Sequence, residues 1–293
     1  MTFDLDNMNI KIQDDQYNKP KKSFVYTYNE KRYFYKQSKK GDFYNEIIAE
    51  KIANKLGIPC CHYIVTYSDG IANLSSEMFD TTHYISLSEI LESVYGNNDK
   101  QDIFNYKSKN NLEDIWLALD AKYGFRENGQ ELVSKLMKKI VKVFFFDVII
   151  ANSDRHADNI GFIDNGKTVD LAPLFDNDYM LSEYALYDND YSMLVDSDNY
   201  EERENYINSD IDLEPRNTLE YFLKISASEY QSELNEMLNV ISRDSLEGIF
   251  EEIKEEIMVP DQKKEEIIRL FETNRNVINR IIEQKKLDNK IGD

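Results

Sequence analysis

Alternating aromatic and polar positions dominate the first part of the chain. Within residues 23–36, aromatic side chains recur at every second position on both sides of Asn29-Glu30-Lys31, which predicts a β-hairpin. Apolar residues recur at helical spacing over residues 43–56, and Gly57 follows them, as is typical of a helix C-terminus. Residues 62–79 predict a second hairpin. A strand pair, a helix and a strand pair together predict a small α+β lobe over residues 1–80.

The rest of the chain has mainly helical periodicity. Three amphipathic segments are predicted as helices: Ser86–Tyr95, Leu112–Lys122 and Gln130–Ile150. A further hairpin is predicted over residues 160–175, and a long loop over residues 176–217, which are rich in Asp, Asn, Tyr and Ser. Three closing helices are predicted at Glu229–Val240, Ser245–Ile257 and Asp261–Lys286. Residues 81–293 are therefore predicted to form a larger, mostly helical lobe, which completes a two-lobed α+β fold.

The charge of the chain narrows the range of partners. The formal net charge is −20, and so acidic a surface repels phosphate backbones and anionic lipid headgroups. We therefore expect no direct nucleic-acid partner and no membrane partner. The most apolar run, residues 143–151, is too short to cross a bilayer.

Two features of the sequence favour a cytoplasmic protein. Cys60 and Cys61 are adjacent, and a vicinal pair is neither a disulfide framework nor a metal-ligand spacing. The first residues show no basic segment followed by an apolar one, so no signal peptide is predicted.

The loop after the longest predicted helix carries the most informative residues. Asn152 to Asn159 read Asn-Ser-Asp-Arg-His-Ala-Asp-Asn, and Leu-Ala-Pro-Leu-Phe-Asp ends at Asp176, beyond the predicted hairpin. Phosphoryl transfer needs a carboxylate that takes a hydroxyl proton, together with oxygen ligands that hold magnesium on ATP. We therefore predict a kinase in which Asp154 is the catalytic base and Asn159 and Asp176 bind Mg²⁺. Each residue alone is also common in turns and caps, so the prediction depends on their combination.

A kinase also needs a lysine on the ATP phosphates. Lys36 ends the second strand of the first hairpin, and Glu46 lies on the first turn of the next helix. A strand lysine followed by a helix glutamate suits an ion pair, so we predict that these two residues serve ATP binding. Other residues of the same types lie nearby, namely Lys31, Lys39, Lys40 and Glu50. No glycine-rich phosphate loop precedes the strands, and residues 17–23 occupy that place.

Arg155 and His156 have two readings each. Arg155 suits either an internal ion pair that anchors the loop or a contact with a phosphate. For His156, a packing and hydrogen-bonding role under the loop is favoured over a role as a base.

Taken together, these segments resemble the HipA-like serine/threonine kinases of bacterial toxin systems. The motifs ending at Asn159 and Asp176 look like the catalytic loop and metal segment of that family, and Glu77-Met78-Phe79-Asp80 is similar to its hinge segment between the lobes. The resemblance covers about residues 22–285 and implies a protein-kinase-like fold and a protein substrate. It also implies Glu77 and Phe79 as nucleotide contacts, autophosphorylation with Ser23 as the nearest match to the family's site, and an antitoxin-like partner.

Two other functions stay open from the sequence. The Asp-Arg-His-x-x-Asn loop is also similar to that of phosphoinositide lipid kinases, although the acidic charge argues against a membrane substrate. A non-catalytic, nucleotide-binding kinase-like protein is favoured by the missing glycine-rich loop and disfavoured by the intact Asp154, Asn159 and Asp176.

Overall fold

The structure is a computed structural model, and it describes a defined set of residues: 2–5, 8, 11–13, 23–36, 43–68, 71–96, 111–150, 152, 155, 157–177, 180, 230–272, 275–276 and 279. Within this set the first part, residues 2–77, is rich in strands and is called the β-rich half below. Residues 84–272 are mainly helical and are called the helical half. The predicted α+β class is confirmed.

The β-rich half is built on one six-stranded sheet. Its strands are β1 (Thr2–Asp4), β2 (Lys11–Gln13), β3 (Ser23–Tyr28), β4 (Lys31–Lys36), β5 (Tyr63–Ser68) and β6 (Ile71–Glu77). Their order in the sheet is β1-β5-β6-β4-β3-β2, and the pairings are antiparallel except that of β1 with β5. Strand β4 therefore lies near the middle of the sheet, and its last residue is Lys36.

The first predicted hairpin is confirmed. Asn29 and Glu30 connect β3 and β4 with φ values of 47° and 66°, and two residues of positive φ give the turn whose twist matches a two-residue hairpin. The second predicted hairpin forms as β5 and β6. Strands β1 and β2 were not predicted, because three-residue strands show no measurable alternation.

Helix α1 (Phe43–Lys55) covers one face of this sheet. Its fully buried side chains, Ile48 and Ile52, belong to the main core together with Val65 of β5. Gly57 ends the helix with a φ of 68°, as its place after Leu56 predicts. The opposite face of the sheet carries a separate aromatic cluster: Phe3, Tyr26, Tyr33 and Tyr35 with Leu5 and Ile64.

The helical half contains six helices within the described residues and a small sheet. These helices are α2 (Leu87–Tyr95), α3 (Asn111–Tyr123), α4 (Gly129–Ile150), α5 (Gln231–Val240), α6 (Arg243–Ile253) and α7 (residues 261–272). The small sheet has the order β7-β8-β9, formed by Tyr84–Ser86, Gly161–Asp164 and Val169–Leu171. In the described ranges no helix has both the length and the apolarity needed to cross a bilayer.

Helix α4 positions the segment that carries the predicted catalytic loop. Phe144, Phe146 and Ile150 are buried in the main core, so the end of the helix lies inside the protein. The chain continues through Asn152 and Arg155 to a short 3-10 helix, Ala157–Asn159, and then into β8.

The second strand of this hairpin is shorter than predicted. We predicted residues 168–175, whereas β9 ends at Leu171. Pro173 has no backbone N–H to donate to a ladder, and Leu174 forms an isolated parallel bridge with Cys60 instead. The chain thereby crosses from the small sheet to the connection between α1 and β5. Most of the predicted loop 176–217 and the end of the predicted last helix lie outside the described residues.

Candidate functional site

Three of the predicted site residues meet at one place. The Nζ atom of Lys36, at the end of β4, lies 2.6 Å from Oδ1 of Asp176. The Nδ2 atom of Asn159, at the end of the 3-10 helix, donates to Oδ2 of the same carboxylate at 3.5 Å. The side chains of Lys36 and Asp176 are 40% and 36% exposed, so a ligand can reach them. Residues far apart in the sequence thus form one polar site.

The backbone at Asp176 has an unusual conformation. Its φ is 59°, in the left-handed region that Asp and Asn tolerate better than most residues. The Asp176 N–H donates to the hydroxyl of Tyr63 at 3.3 Å. Such outliers persist where the surrounding contacts hold them, and they cluster at functional sites.

Glu46 reaches the residue that follows Asp176. It is buried on the first turn of α1, and its Oε2 accepts the N–H of Asn177 at 2.8 Å. The Tyr63 hydroxyl hydrogen-bonds the same carboxylate, and both burial and the negative charge of Glu46 raise the pKa of Tyr63. The phenol therefore stays protonated. We predicted Glu46 as the partner of Lys36, and that pairing stays a prediction; the contact that the structure shows is with the backbone beside Asp176.

A buried ion pair lies beneath this segment. Asp147 of α4 and Arg155 are 3% and 2% exposed. The Nε atom of Arg155 lies 3.0 Å from Oδ2 of Asp147, and its Nη2 lies 3.1 Å from Oδ1. Asn152 donates to the same Oδ1 at 3.0 Å. Burial raises the pKa of Asp147, and the charge of Arg155 opposes that rise.

Arg155 also contacts both neighbours of Asp176. Its Nη1 donates to the carbonyl oxygen of Phe175 at 3.0 Å, and its Nη2 donates to Oδ1 of Asn177. The Asn177 Nδ2 in turn donates to Sγ of Cys60 at 3.6 Å. Of the two readings of Arg155, the structure therefore shows the internal ion pair that anchors the loop.

Sequence reasoning did not find Asp147, Asn177 or Tyr63. Asp147 had a visible signal, because it interrupts an otherwise apolar run at the end of a buried helix, and a buried carboxylate needs a partner. Asn177 and Tyr63 had no such signal, since each contacts a residue more than a hundred positions away: Asn177 donates its N–H to Glu46, and the Tyr63 hydroxyl accepts the N–H of Asp176.

Two of the remaining predicted residues, Glu77 and Phe79, lie at and just after the end of β6. Glu77 ends β6 and pairs with Lys31 at 2.8 Å. The ring of Phe79 lies 6.4 Å from that of Phe175, next to the polar site. The predicted base, Asp154, lies outside the described residues, as does His156.

The donor set at this site suits magnesium bound together with a nucleotide. Mg²⁺ prefers oxygen ligands and is usually held by one or two protein carboxylates together with substrate phosphates. Asp176 offers a carboxylate, Asn159 an amide oxygen, and Lys36 a cation that can face phosphates. In the described part of the chain, no group of three or more His, Cys, Asp or Glu side chains is arranged to hold a metal by itself.

The sheet covered by helix α1, the mainly helical half and the polar site joining them define a kinase-like fold. The family model described as the HipA-like C-terminal domain matches residues 17–259, so the chain belongs to this family. A search of curated protein sequences finds no significant match.

Two solved structures are similar to the chain. The Helicobacter pylori proinflammatory kinase CtkA matches with a TM-score of 0.64 and 20% identity, covering 97% of this chain and 100% of that one. HipA of Shewanella oneidensis MR-1, in complex with HipB and its operator DNA, matches with a TM-score of 0.44 and 12% identity, covering 85% of this chain and 58% of that one. At this identity the CtkA match shows the fold, and the weaker HipA match carries no argument. Family and fold together support kinase activity in general.

Proposed function

We propose that this protein is an ATP- and magnesium-dependent kinase that transfers the γ-phosphate of ATP to a Ser, Thr or Tyr hydroxyl of a protein. The observation that carries the proposal is the convergence of Lys36, Asn159 and Asp176, with a 2.6 Å contact between Lys36 and Asp176. A strand lysine and a pair of oxygen ligands at one solvent-accessible place are what phosphoryl transfer requires.

Each residue has a separate role in this proposal. Asn159 and Asp176 hold Mg²⁺, which when bound offsets the negative charge of the phosphates. Lys36 contacts the phosphates, and Glu46 holds the segment beside Asp176 through the Asn177 N–H. Asp154 accepts the proton of the acceptor hydroxyl. The hydroxyl oxygen then bonds to the γ-phosphorus, the bond from that phosphorus to the bridging oxygen breaks, and ADP leaves.

We assign Glu77 and Phe79 to the nucleotide base. Glu77 is the last residue of β6 and Phe79 follows it, where the chain leaves the β-rich half, and the Phe79 ring lies 6.4 Å from that of Phe175. Phe175 immediately precedes Asp176, so a base bound near Phe79 is close to the residues that we assign to magnesium and phosphate. A protein substrate, with autophosphorylation included, and an antitoxin-like partner are proposed on family membership alone.

The proposal is tested by incubating the protein with labelled ATP and a bacterial lysate, with and without Mg²⁺. We expect Mg²⁺-dependent labelling of protein by the wild type and its loss in Asp154→Asn, because the amide cannot accept the proton. Intact mass after incubation with ATP reports autophosphorylation. Normal turnover by Asp154→Asn would show that this residue is not the base. Thermal stabilisation by Mg²⁺ and ATP without any turnover would favour the non-catalytic, nucleotide-binding alternative.

A further inference from the structure

The buried pair of Asp147 and Arg155 invites an explanation beyond stability. Burying two charges is costly, and a buried ion pair is often no better for stability than apolar side chains of the same size. Both residues are at most 3% exposed, and neither can touch a ligand in the solvent. We infer that Arg155, held by Asp147, is a positioning residue for the proposed magnesium site.

The contacts of Arg155 fix the direction in which Asp176 points. Its guanidinium binds the carbonyl oxygen of Phe175 at 3.0 Å and also the side chain of Asn177. Asp176 lies between these two residues with a φ of 59°. A residue whose two neighbours are held by one rigid planar group has little freedom to rotate. The left-handed conformation, and with it the carboxylate orientation, is therefore held by Arg155.

The same network reaches the β-rich half of the protein. Asn177 donates its N–H to Glu46 of α1 at 2.8 Å and its amide to Cys60 at 3.6 Å. Arg155 thus connects α4, through Asp147, with α1, through Asn177. Because Lys36 lies in the β-rich half, this connection sets the distance between the lysine and Asp176.

The fork geometry makes the role specific to arginine. Three nitrogens of Arg155 serve Asp147, Phe175 and Asn177 at once. A lysine offers one compact ammonium and cannot bridge partners in this planar arrangement. Arg155→Lys keeps the positive charge beside Asp147, so it is the variant best suited to fold while losing the bridge.

The first measurement needs no ligand and is hydrogen–deuterium exchange of the metal-free protein. In Arg155→Lys we expect faster exchange in peptides that contain the Asp176 and Asn177 amides, whose acceptors are Tyr63 and Glu46. Unchanged exchange there would overturn the inference. This outcome does not depend on whether the protein is a kinase.

The second measurement rests on the proposed function and uses Mn²⁺ with the non-hydrolysable ATP analogue AMP-PNP, followed by electron paramagnetic resonance. Loss of a residue that orients metal ligands weakens metal affinity by about 10- to 100-fold. We expect a loss in this range for Arg155→Lys, and a smaller one for Asn177→Ala, which removes one acceptor and leaves the ion pair intact. Wild-type affinity in both variants would overturn the inference.

Arg126→Lys is the matched control. Arg126 forms a two-pronged pair with Asp164, at 3.1 and 2.7 Å, on the β8–β9 hairpin. Loss of this pair should lower the stability of the protein without changing Mn²⁺ affinity. If Mn²⁺ affinity fell as far in Arg126→Lys as in Arg155→Lys, the effect of Arg155 would be one of general stability and not of positioning. Should the wild type itself fail to bind Mn²⁺ with AMP-PNP, the proposed function fails, while the exchange experiment still decides whether Arg155 orders residues 176 and 177.

Discussion

Asp176 has a strained backbone and lies at the centre of the polar site. A substitution that keeps its backbone conformation but removes its charge therefore tests its role in binding without disturbing the fold. Asn tolerates the left-handed region as Asp does, and Asp176→Asn should therefore fold. It lacks the charge that attracts Mg²⁺ and that faces Lys36 at 2.6 Å. We expect Mg²⁺-dependent ATP affinity to fall by at least about tenfold, which corresponds to ~1.4 kcal/mol of binding free energy.

Calorimetric titration of ATP with and without Mg²⁺ measures this effect. The comparison is with Asp154→Asn, whose ATP affinity should stay within a few-fold of the wild type because the proposed base does not hold the nucleotide. Equal Mg²⁺-dependent affinity in Asp176→Asn and the wild type would remove Asp176 from the magnesium site.

His62 makes the stability of the folded protein depend on pH, and the direction of this dependence follows from its pKa. Its Nδ1 lies 2.9 Å from the buried Glu50 carboxylate. The hydrogen bond to Glu50 raises the pKa of His62, while burial and the charge of Lys51 act against the rise. Because the pKa of His62 is raised in the folded state, its pairing with Glu50 stabilises the folded protein fully below the unfolded-state pKa, about 6.5. This stabilisation is lost as the pH rises through the folded-state pKa.

We therefore expect the wild type to lose more unfolding free energy than His62→Gln between pH 6 and pH 9. Glutamine keeps an amide donor for Glu50 but does not titrate, so the difference between the two proteins isolates His62. Urea unfolding at several pH values gives this difference. Parallel curves for the two proteins would show that the pair contributes no pH dependence.

At the scale of elements, local signals decided what could be predicted. The β3–β4 hairpin was predicted because alternating aromatic positions on both sides of Asn29-Glu30-Lys31 indicate two strands. The end of α1 was predicted because Gly57 accepts the positive φ of a helix C-terminus. The start of α2 was predicted to within a residue, and there Ser86 and Glu89 form a capping box. Strand β7 was missed because it has only three residues, the last of which is the cap Ser86 itself, and because its partner β8 is distant in the sequence.

For the candidate site, the residues that carry the chemistry could be predicted from the sequence, as the hairpin and the helix ends could. Lys36, Asn159 and Asp176 come from motifs whose residue types carry the chemistry, and the structure brings them together. Their supports could not be predicted. The contact of Asn177 with Glu46 is set by how α1 packs on the helical half. Arg155 fits an ion pair and a phosphate contact equally well until Asp147 is seen beside it.

The contact between β7 and β8 offers a prediction about an element. Gly161 opens β8 opposite Ser86, and a Cβ added there would overlap the ring of Tyr84. Overpacking of this kind costs about 1–3 kcal/mol, so Gly161→Ala should lower the free energy of unfolding by that amount. Chemical denaturation measures it.

Gly248 of α6 is the internal control for this glycine. A Cβ added there meets nothing within 4 Å, and alanine is favoured over glycine in a helix by about 0.5–1 kcal/mol. Gly248→Ala should therefore stabilise the protein. A Gly161→Ala variant as stable as the wild type would show that Tyr84 moves aside without cost.

At the scale of the molecule, the site depends on how the two halves are joined. Lys36 and Glu46 come from the β-rich half, and Asn159 and Asp176 from the helical half. One continuous core contains residues of both, such as Ile52 of α1 and Phe250 of α6. At its edge, Lys51 pairs with Glu252 at 2.7 Å. A shared core means that neither half can open without exposing apolar surface of the other.

This shared core predicts that both halves unfold in one transition. Ile52 is fully buried on α1, and Ile52→Ala should cost about 2–5 kcal/mol. The chain has a single tryptophan, Trp116, which lies on α3 in the helical half and reports on that half by fluorescence. Ile52→Ala leaves a cavity in the β-rich half. We expect it to lower the free energy of unfolding reported by Trp116 fluorescence by as much as the one reported by hydrogen exchange in β3 to β6.

Phe125→Ala is the control for this experiment, because Phe125 is 95% exposed and its loss should move neither probe by more than about 0.5 kcal/mol. A Trp116 transition that stays in place while exchange in β3 to β6 accelerates would mean that the halves unfold independently. Their relative position would then be free to vary in the folded protein. In that case the shared core would not by itself hold Lys36 and Asp176 at 2.6 Å.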